Sequence, residues 1–142
     1  MPSFNSFHNK YLDAWRNSSL QELTPMISRD YQAREIAEGK ISDFGYEESI
    51  RGWEQGFTFV KENKAEWELK EIARIPLREH ETMSVIFAKL VINGKTLKTG
   101  NLFFQTFIYD FGWKLARSYI EAGIPSSQME NNSLMSIPGK SF

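Results

Sequence analysis

Ala65-Glu66-Trp67-Glu68-Leu69-Lys70-Glu71-Ile72-Ala73-Arg74-Ile75 decides the architecture of this chain. Apolar and charged residues alternate along it with a period of two, the pattern of a half-buried strand rather than a helix. Trp67, Leu69, Ala73 and Ile75 share one face, and Glu66, Glu68, Lys70 and Arg74 the other. The pattern persists downstream. Arg78-Glu79-His80-Glu81 turns the chain, and Thr82 to Ile92 forms a second strand. Asn93-Gly94 is then a strong hairpin signal, because a type I′ turn needs positive φ at both central residues. Lys95 to Tyr109 reads as a third strand bulged at Gly100, Asp110-Phe111-Gly112 turns again, and Trp113 to Glu121 is the fourth. Four consecutive strands joined by tight turns make an antiparallel meander.

Upstream the period lengthens. Phe4, Phe7, Tyr11 and Trp15, with His8 and Leu12, recur at three- and four-residue steps and predict an amphipathic helix. Ser19-Leu20-Gln21-Glu22 has the spacing of a capping box and opens a short second helix limited by Pro25. Tyr31 to Ala37 is the first strand, and Gly39 to Gly45 a loop in which Ser42 or Asp43 is placed to cap the next helix. Tyr46, Ile50, Trp53, Phe57 and Val60 fall on one stripe of that third helix. Glu47 and Glu48 occupy its first turn, where the helix dipole favours negative charge. Gly52 and Gly56 lie beside the stripe, and each costs about 1 kcal/mol against Ala in a helix interior. Something therefore approaches closely there: another helix, the simpler reading, or an enclosed ligand.

The order helix, helix, strand, helix and then four strands fits an α+β domain with helices across one face of a curved sheet. A length of 142 residues suits one domain. The domain is expected over residues 1–122. Residues 123–142, rich in Ser, Asn and Pro, read as a tail, mobile or docked on a neighbour through Leu134, Met135 and Ile137. With 17 basic and 18 acidic side chains, nothing favours a nucleic-acid partner. The absence of cysteine excludes disulfides, a thiol nucleophile and cysteine-ligated metal clusters. His8 and His80 belong to no metal-ligand spacing, and no flavin or nicotinamide fingerprint is present, so no metal and no cofactor are expected. No apolar run approaches the roughly 20 residues of a membrane helix, and no signal peptide is read at the N-terminus; a cytoplasmic protein is the expectation. The aromatic share of 14% is the remaining anomaly. These rings either fill a core or line a pocket.

Two stretches resemble the NTF2-like superfamily, the cone-shaped α+β fold that includes SnoaL-type polyketide cyclases and ketosteroid isomerase. Tyr11-Leu12-Asp13-Ala14-Trp15-Arg16-Asn17-Ser18-Ser19-Leu20-Gln21-Glu22-Leu23 is similar to the family's opening helix and the turn into helix two, with Ser18-Ser19 where Gly-Asp is common. Phe111-Gly112-Trp113-Lys114-Leu115-Ala116 is similar to its closing strand. The element order agrees over residues 3 to about 122. The resemblance implies about three N-terminal helices on a curved, mainly antiparallel sheet, closed at one end and open to a pocket at the other. It also implies a homodimer through the sheet exterior.

The family's functions are diverse, so activity rests on the site. Matched to ketosteroid isomerase, Tyr11 falls at the oxyanion donor, Glu35 at the base and Gln105 on or next to the second donor. Glu replaces Asp at the base, and Gln replaces a protonated acid. A carboxylate in an apolar cavity exchanges a carbon-bound proton near neutral pH, while a phenol and an amide stabilise the enolate oxygen. Trp15, Tyr31, Tyr46, Trp53 and Phe57, with Arg117 and Tyr119 from the last strand, are the candidate ligand-binding residues. A one-residue slip would move Arg117 and Tyr119 from cavity to exterior, where Arg117 would sit in an interface. Three readings are open. The first is a protein that binds a small apolar or aromatic ligand. The second is a cofactor-independent isomerase, cyclase or dehydratase using Glu35. The third is a protein-interaction or oligomerisation domain.

Overall fold

A computed structural model describes residues 3–130. Helix α1 (Phe4–Arg16) starts where the Ser3 hydroxyl accepts from the Ser6 N–H, and α2 (Leu20–Leu23) where the Ser19 hydroxyl accepts from the Glu22 N–H. A 3₁₀ turn at Thr24–Met26 leads into strand β1 (Ile27–Ala37). Strand β2 (Lys40–Gly45), helix α3 (Tyr46–Glu62) and the long hairpin β3 (Ala65–Arg78) and β4 (Glu81–Ile92) come next. The two-residue strand β5 (Lys95–Thr96) pairs with β4 before β6 (Thr99–Tyr109), β7 (Trp113–Pro125) and the short helix α4 (Ser126–Glu130).

The sheet runs β2-β1-β7-β6-β4-β3, antiparallel except for the β1–β7 pair, which is parallel. The expected α+β arrangement of helices on a mainly antiparallel sheet is present. Among the described residues, no helix is long and apolar enough to cross a membrane. Asn93 and Gly94 take φ of 52° and 79°, as the hairpin signal required.

Besides the break of the expected strand Lys95–Tyr109 into β5 and β6, three details depart from the sequence pattern. The expected loop at Gly39–Gly45 is mostly strand: Glu38 and Gly39 turn with φ of 51° and 77°, and β2 pairs back on β1. Asp43 therefore caps nothing and instead holds Arg34 in a two-pronged ion pair at 2.7 and 2.9 Å. Gly45 precedes α3, its N–H donating to the Glu48 carboxylate at 3.0 Å. The last strand runs on to Pro125, and the Ser126 hydroxyl donates to the Leu97 carbonyl. Of the expected tail, Leu134, Met135 and Ile137 lie outside the described residues.

The third departure is a bulge at Ile72. The β3–β4 register shifts between Glu71 and Ala73, and one extra residue exchanges the faces of everything beyond it. Trp67, Leu69 and Glu71 face the helices, but so does Arg74, while Ile75 points out and is 44% exposed. The expected division of charged from apolar faces thus holds only for the first half of the strand.

Ser18 adopts a left-handed φ of 51°, the conformation for which glycine is common at this turn. Its hydroxyl is put to use. It accepts from the Trp67 indole N–H at 2.9 Å, tying the α1–α2 turn to β3.

Candidate functional site

Because neighbouring strands are in register, the inner face of the sheet resolves into rows of side chains about 7 Å apart along the strands. The innermost row pairs Thr82, Phe107 and Leu115 beneath α1. There Phe107 is fully buried against Phe4, Phe7, His8 and Tyr11, with ring centroids 5.1–5.7 Å away. This end is solid core.

The next row is polar: Arg74, Ser84, Gln105 and Ser118, in register across four strands. Ser84, Gln105 and Ser118 are all buried. Above Ser84 lies His8, fully buried, with Nε2 3.0 Å from the Ser84 hydroxyl. Nδ1 lies 3.3 Å from the Glu71 carboxylate but is poorly aligned for a hydrogen bond. Arg74 bridges the same carboxylate to Asn5 and Asn9 of α1. Burial, reinforced by the Arg74 charge, lowers the His8 pKa to about 4, with Glu71 opposing. This helix-to-sheet polar bridge escapes a reading of the sequence. Its signal, Glu71 and Arg74 on one side of a strand, is visible only once the bulge is known.

Tyr11 is also fully buried, and burial, with the neighbouring Tyr31 phenol, raises its pKa well above 10. Gln105 opposes that shift from nearby. The alignment nevertheless falls short of a hydrogen bond: neither the Tyr11 hydroxyl nor Gln105 Oε1 has a partner among the described residues. Tyr31 is raised by burial too, with Ser118 and Ser49 opposing and the nearby Glu35 adding to the rise. Tyr11, Gln105, Tyr31 and Glu35 are therefore near one another on the inner face.

The third row is Ile86, Phe103, Ile120 and Glu35, and beyond it lie Ala88 and Asn101. Here the sheet meets α3 across a cavity of about 300 Å³. Its walls are Trp15, Tyr31, Phe44, Trp53, Trp67 and Phe103, with Glu35, Ser49 and Asn101 as polar members. Trp15 stands edge-on to both Trp53 and Phe103, each 5.0 Å away between centroids. Gly52 and Gly56 line the same space from α3. A Cβ on Gly52 would meet nothing within 4 Å, and one on Gly56 would reach only the Trp67 ring at 3.8 Å. These glycines do not serve close helix packing. They leave room.

Of the expected site residues, Trp15, Tyr31, Trp53 and Glu35 line the cavity. Tyr11 and Gln105 lie one row deeper, outside its lining, and Phe57 is packed between Trp53 and Trp67. Tyr46 opens α3 with its ring 4.9 Å from the Arg29 guanidinium, also outside the lining. Arg117 and Tyr119 are corrections. Ser118 and Ile120 point inward, so strand alternation turns Arg117 and Tyr119 to the outer face. There Arg117 pairs with Glu81 at 3.0 Å, and the Tyr119 hydroxyl donates to Glu121. Trp67, Phe44, Phe103 and Asn101 also line the cavity without being among the candidate ligand-binding residues; strand alternation is the available signal for Trp67, Phe103 and Asn101, whereas Phe44 falls in the stretch read as a loop. A wider depression of about 650 Å³ runs past Arg34, Asp43 and Arg117. It is open to solvent, and Arg34, Asp43 and Arg117 at its edge are engaged in ion pairs. No group of three or more metal-ligating side chains occurs among the described residues.

No family model matches the chain, and no curated protein matches it in sequence. Solved structures do. A domain of unknown function with a cystatin-like fold from Nostoc punctiforme superposes with a TM-score of 0.64 at 16% identity, covering 94% of this chain and 84% of that one. An NTF-2 like protein of unknown function from Shewanella oneidensis gives 0.62 at 17% identity, covering 82% and 94%. A ketosteroid isomerase-like protein from Erwinia carotovora atroseptica gives 0.57 at 10% identity, covering 83% and 92%. At these identities the likeness is one of fold.

Proposed function

The chain has the NTF2-like fold, and from that premise we propose that the cavity between α3 and the sheet binds a small apolar or aromatic molecule. The observation that carries this reading is the pairing of aromatic walls with glycines on α3 whose backbone does not require glycine. Small-molecule pockets are mostly apolar with a few placed polar groups, and about 300 Å³ is the lower end of their range. The ligand is therefore one or two rings in size. Glu35, Ser49 and Asn101 supply its polar contacts.

A cofactor-independent isomerase, cyclase or dehydratase is the second reading, favoured by Glu35 on the cavity wall. Proton transfer of that type also asks the Tyr11 phenol and the Gln105 amide to touch the reacting oxygen, and both sit beneath the lining. Binding is thus the better supported of the two. A homodimer through the outer face of the sheet, in a cytoplasmic setting, belongs to the same proposal. Its support is the half-buried Met83 and Phe104 beside the exposed Tyr119 on that face. An interaction or oligomerisation role would use this surface.

Isothermal titration with 2-naphthol tests the binding reading. The wild type is expected to bind at micromolar to millimolar concentration. Gly52→Leu, which places a side chain at the cavity mouth, is expected to weaken that binding about tenfold or more. Absence of binding by the wild type, with no change in its melting temperature, would end the proposal.

A further inference from the structure

The charge of the cavity lining is as one-sided as its shape. Glu35 brings a carboxylate to the wall, and no Lys, Arg or His stands among the described lining residues. The adjacent basic side chain on β1, Arg34, lies on the opposite face and is already held by Asp43 at 2.7 and 2.9 Å. No hydrogen bond or ion pair engages the Glu35 carboxylate among the described residues. An anionic ligand would meet like charge with nothing to offset it, and a half-buried position strengthens that repulsion.

A cation meets the reverse. Aromatic faces attract a positive centre within about 6 Å of the ring, most strongly for tryptophan and most strongly where water is excluded. Three tryptophans, Trp15, Trp53 and Trp67, wall this cavity together with Tyr31. Trp15 is fully buried, and its indole N–H has no partner among the described residues. Rings and a single carboxylate, without a competing protein cation, form the chemical complement of an organic ammonium ion carrying an apolar body.

We propose that the cavity is selective for organic cations, quaternary or alkyl-substituted ammonium compounds, with Glu35 as counter-ion and the tryptophans as cation-facing walls. This rests on the small-molecule reading above and narrows it to a ligand class. Two probes of the same shape isolate the charge: (4-hydroxyphenyl)trimethylammonium and its neutral isostere 4-tert-butylphenol, titrated calorimetrically against the full chain at low salt. The cation is expected to bind about tenfold or more tightly than the isostere. Glu35→Gln is expected to remove most of that advantage, bringing the two affinities to within about threefold of each other. Equal binding of the two, or tighter binding of 4-tert-butylphenol, overturns cation selectivity and leaves the small-molecule reading standing. A cation preference that survives Glu35→Gln undiminished overturns the counter-ion role. If neither probe binds while 2-naphthol does, the cation proposal falls and the small-molecule reading stands; if 2-naphthol also fails to bind, both fall.

Discussion

Strand β6 presents Phe107 at one end of the inner face and Phe103 near the other, and the two rings have different fates. Phe107 is fully buried under the rings of α1, while Phe103 is half-buried on the wall of a cavity. The sheet beneath them is continuous, so it does not explain the difference. The covering helix does. Above Phe107, α1 supplies Phe4, Phe7 and Tyr11 in a close cluster; over Phe103 it supplies only Trp15, edge-on, while α3 supplies Gly52, Gly56 and the stacked ring of Trp53 at 6.5 Å. One surface is thus made core or pocket by the volume laid over it, as interior packing leaves no space unless the side chains withhold it.

The sharpest way to break this comparison is to truncate both rings. Phe107→Ala is expected to cost about 3–5 kcal/mol, the range for removing a ring from a packed core. Phe103→Ala enlarges a space that already exists and is expected to cost about 1–2 kcal/mol. Urea denaturation of the two variants reads the difference directly. Comparable losses would mean that the α3 end is as tightly filled as the α1 end.

Local signals make most of the fold legible. Asn93-Gly94, the stripe from Tyr46 to Val60 and the alternation after Ala65 each rest on a few neighbouring residues. The features that stay hidden depend on register. A bulge at Ile72 leaves no mark in the composition, since Glu71 and Arg74 read as polar under either parity, yet it decides whether Arg74 faces α1 or solvent. A second shift between β6 and β7, between Thr106 and Phe107, likewise sets the faces of the closing strand and turns Arg117 outward. Glu38-Gly39 is a weaker turn signal than Asn-Gly, so β2 reads as loop. As for the site, stripes point to the inward residues. Whether those residues touch each other or enclose a space is not legible, because that depends on distances between elements far apart in sequence.

The buried polar row sharpens the comparison from the closed end. His8 has no room for an added charge: burial lowers its pKa to about 4, from 6.5 in the unfolded chain. Above pH 6.5 both states hold it neutral and it adds no pH dependence. As pH falls from 6.5 towards 4, the unfolded chain takes up a proton that the native state refuses, so stability falls with pH across that window. The displacement corresponds to roughly 3 kcal/mol when fully developed. Urea midpoints at pH 7 and pH 4.5 are expected to differ more in the wild type than in His8→Gln, which keeps a polar contact for Ser84 but cannot titrate. Equal differences would show that His8 takes up its proton without disturbing the α1 packing.

The smallest expected effect bears most directly on the pocket. At Gly100 a Cβ would stand 2.6 Å from the Ala88 carbonyl oxygen, a backbone atom that cannot yield cheaply, so glycine is required for the sheet itself. At Gly52 the same Cβ meets nothing within 4 Å, and the residue sits in a helix that would be firmer with alanine. Gly52→Ala is therefore expected to stabilise the protein by about 1 kcal/mol, whereas Gly100→Ala destabilises it. A thermal melt separates the two signs. If Gly52→Ala were destabilising instead, the space beside α3 would be serving the fold, and the comparison between a filled end and an open end would lose its functional meaning. A gain in stability leaves the glycine without a structural purpose, and the remaining reason for it is the room that it gives a ligand.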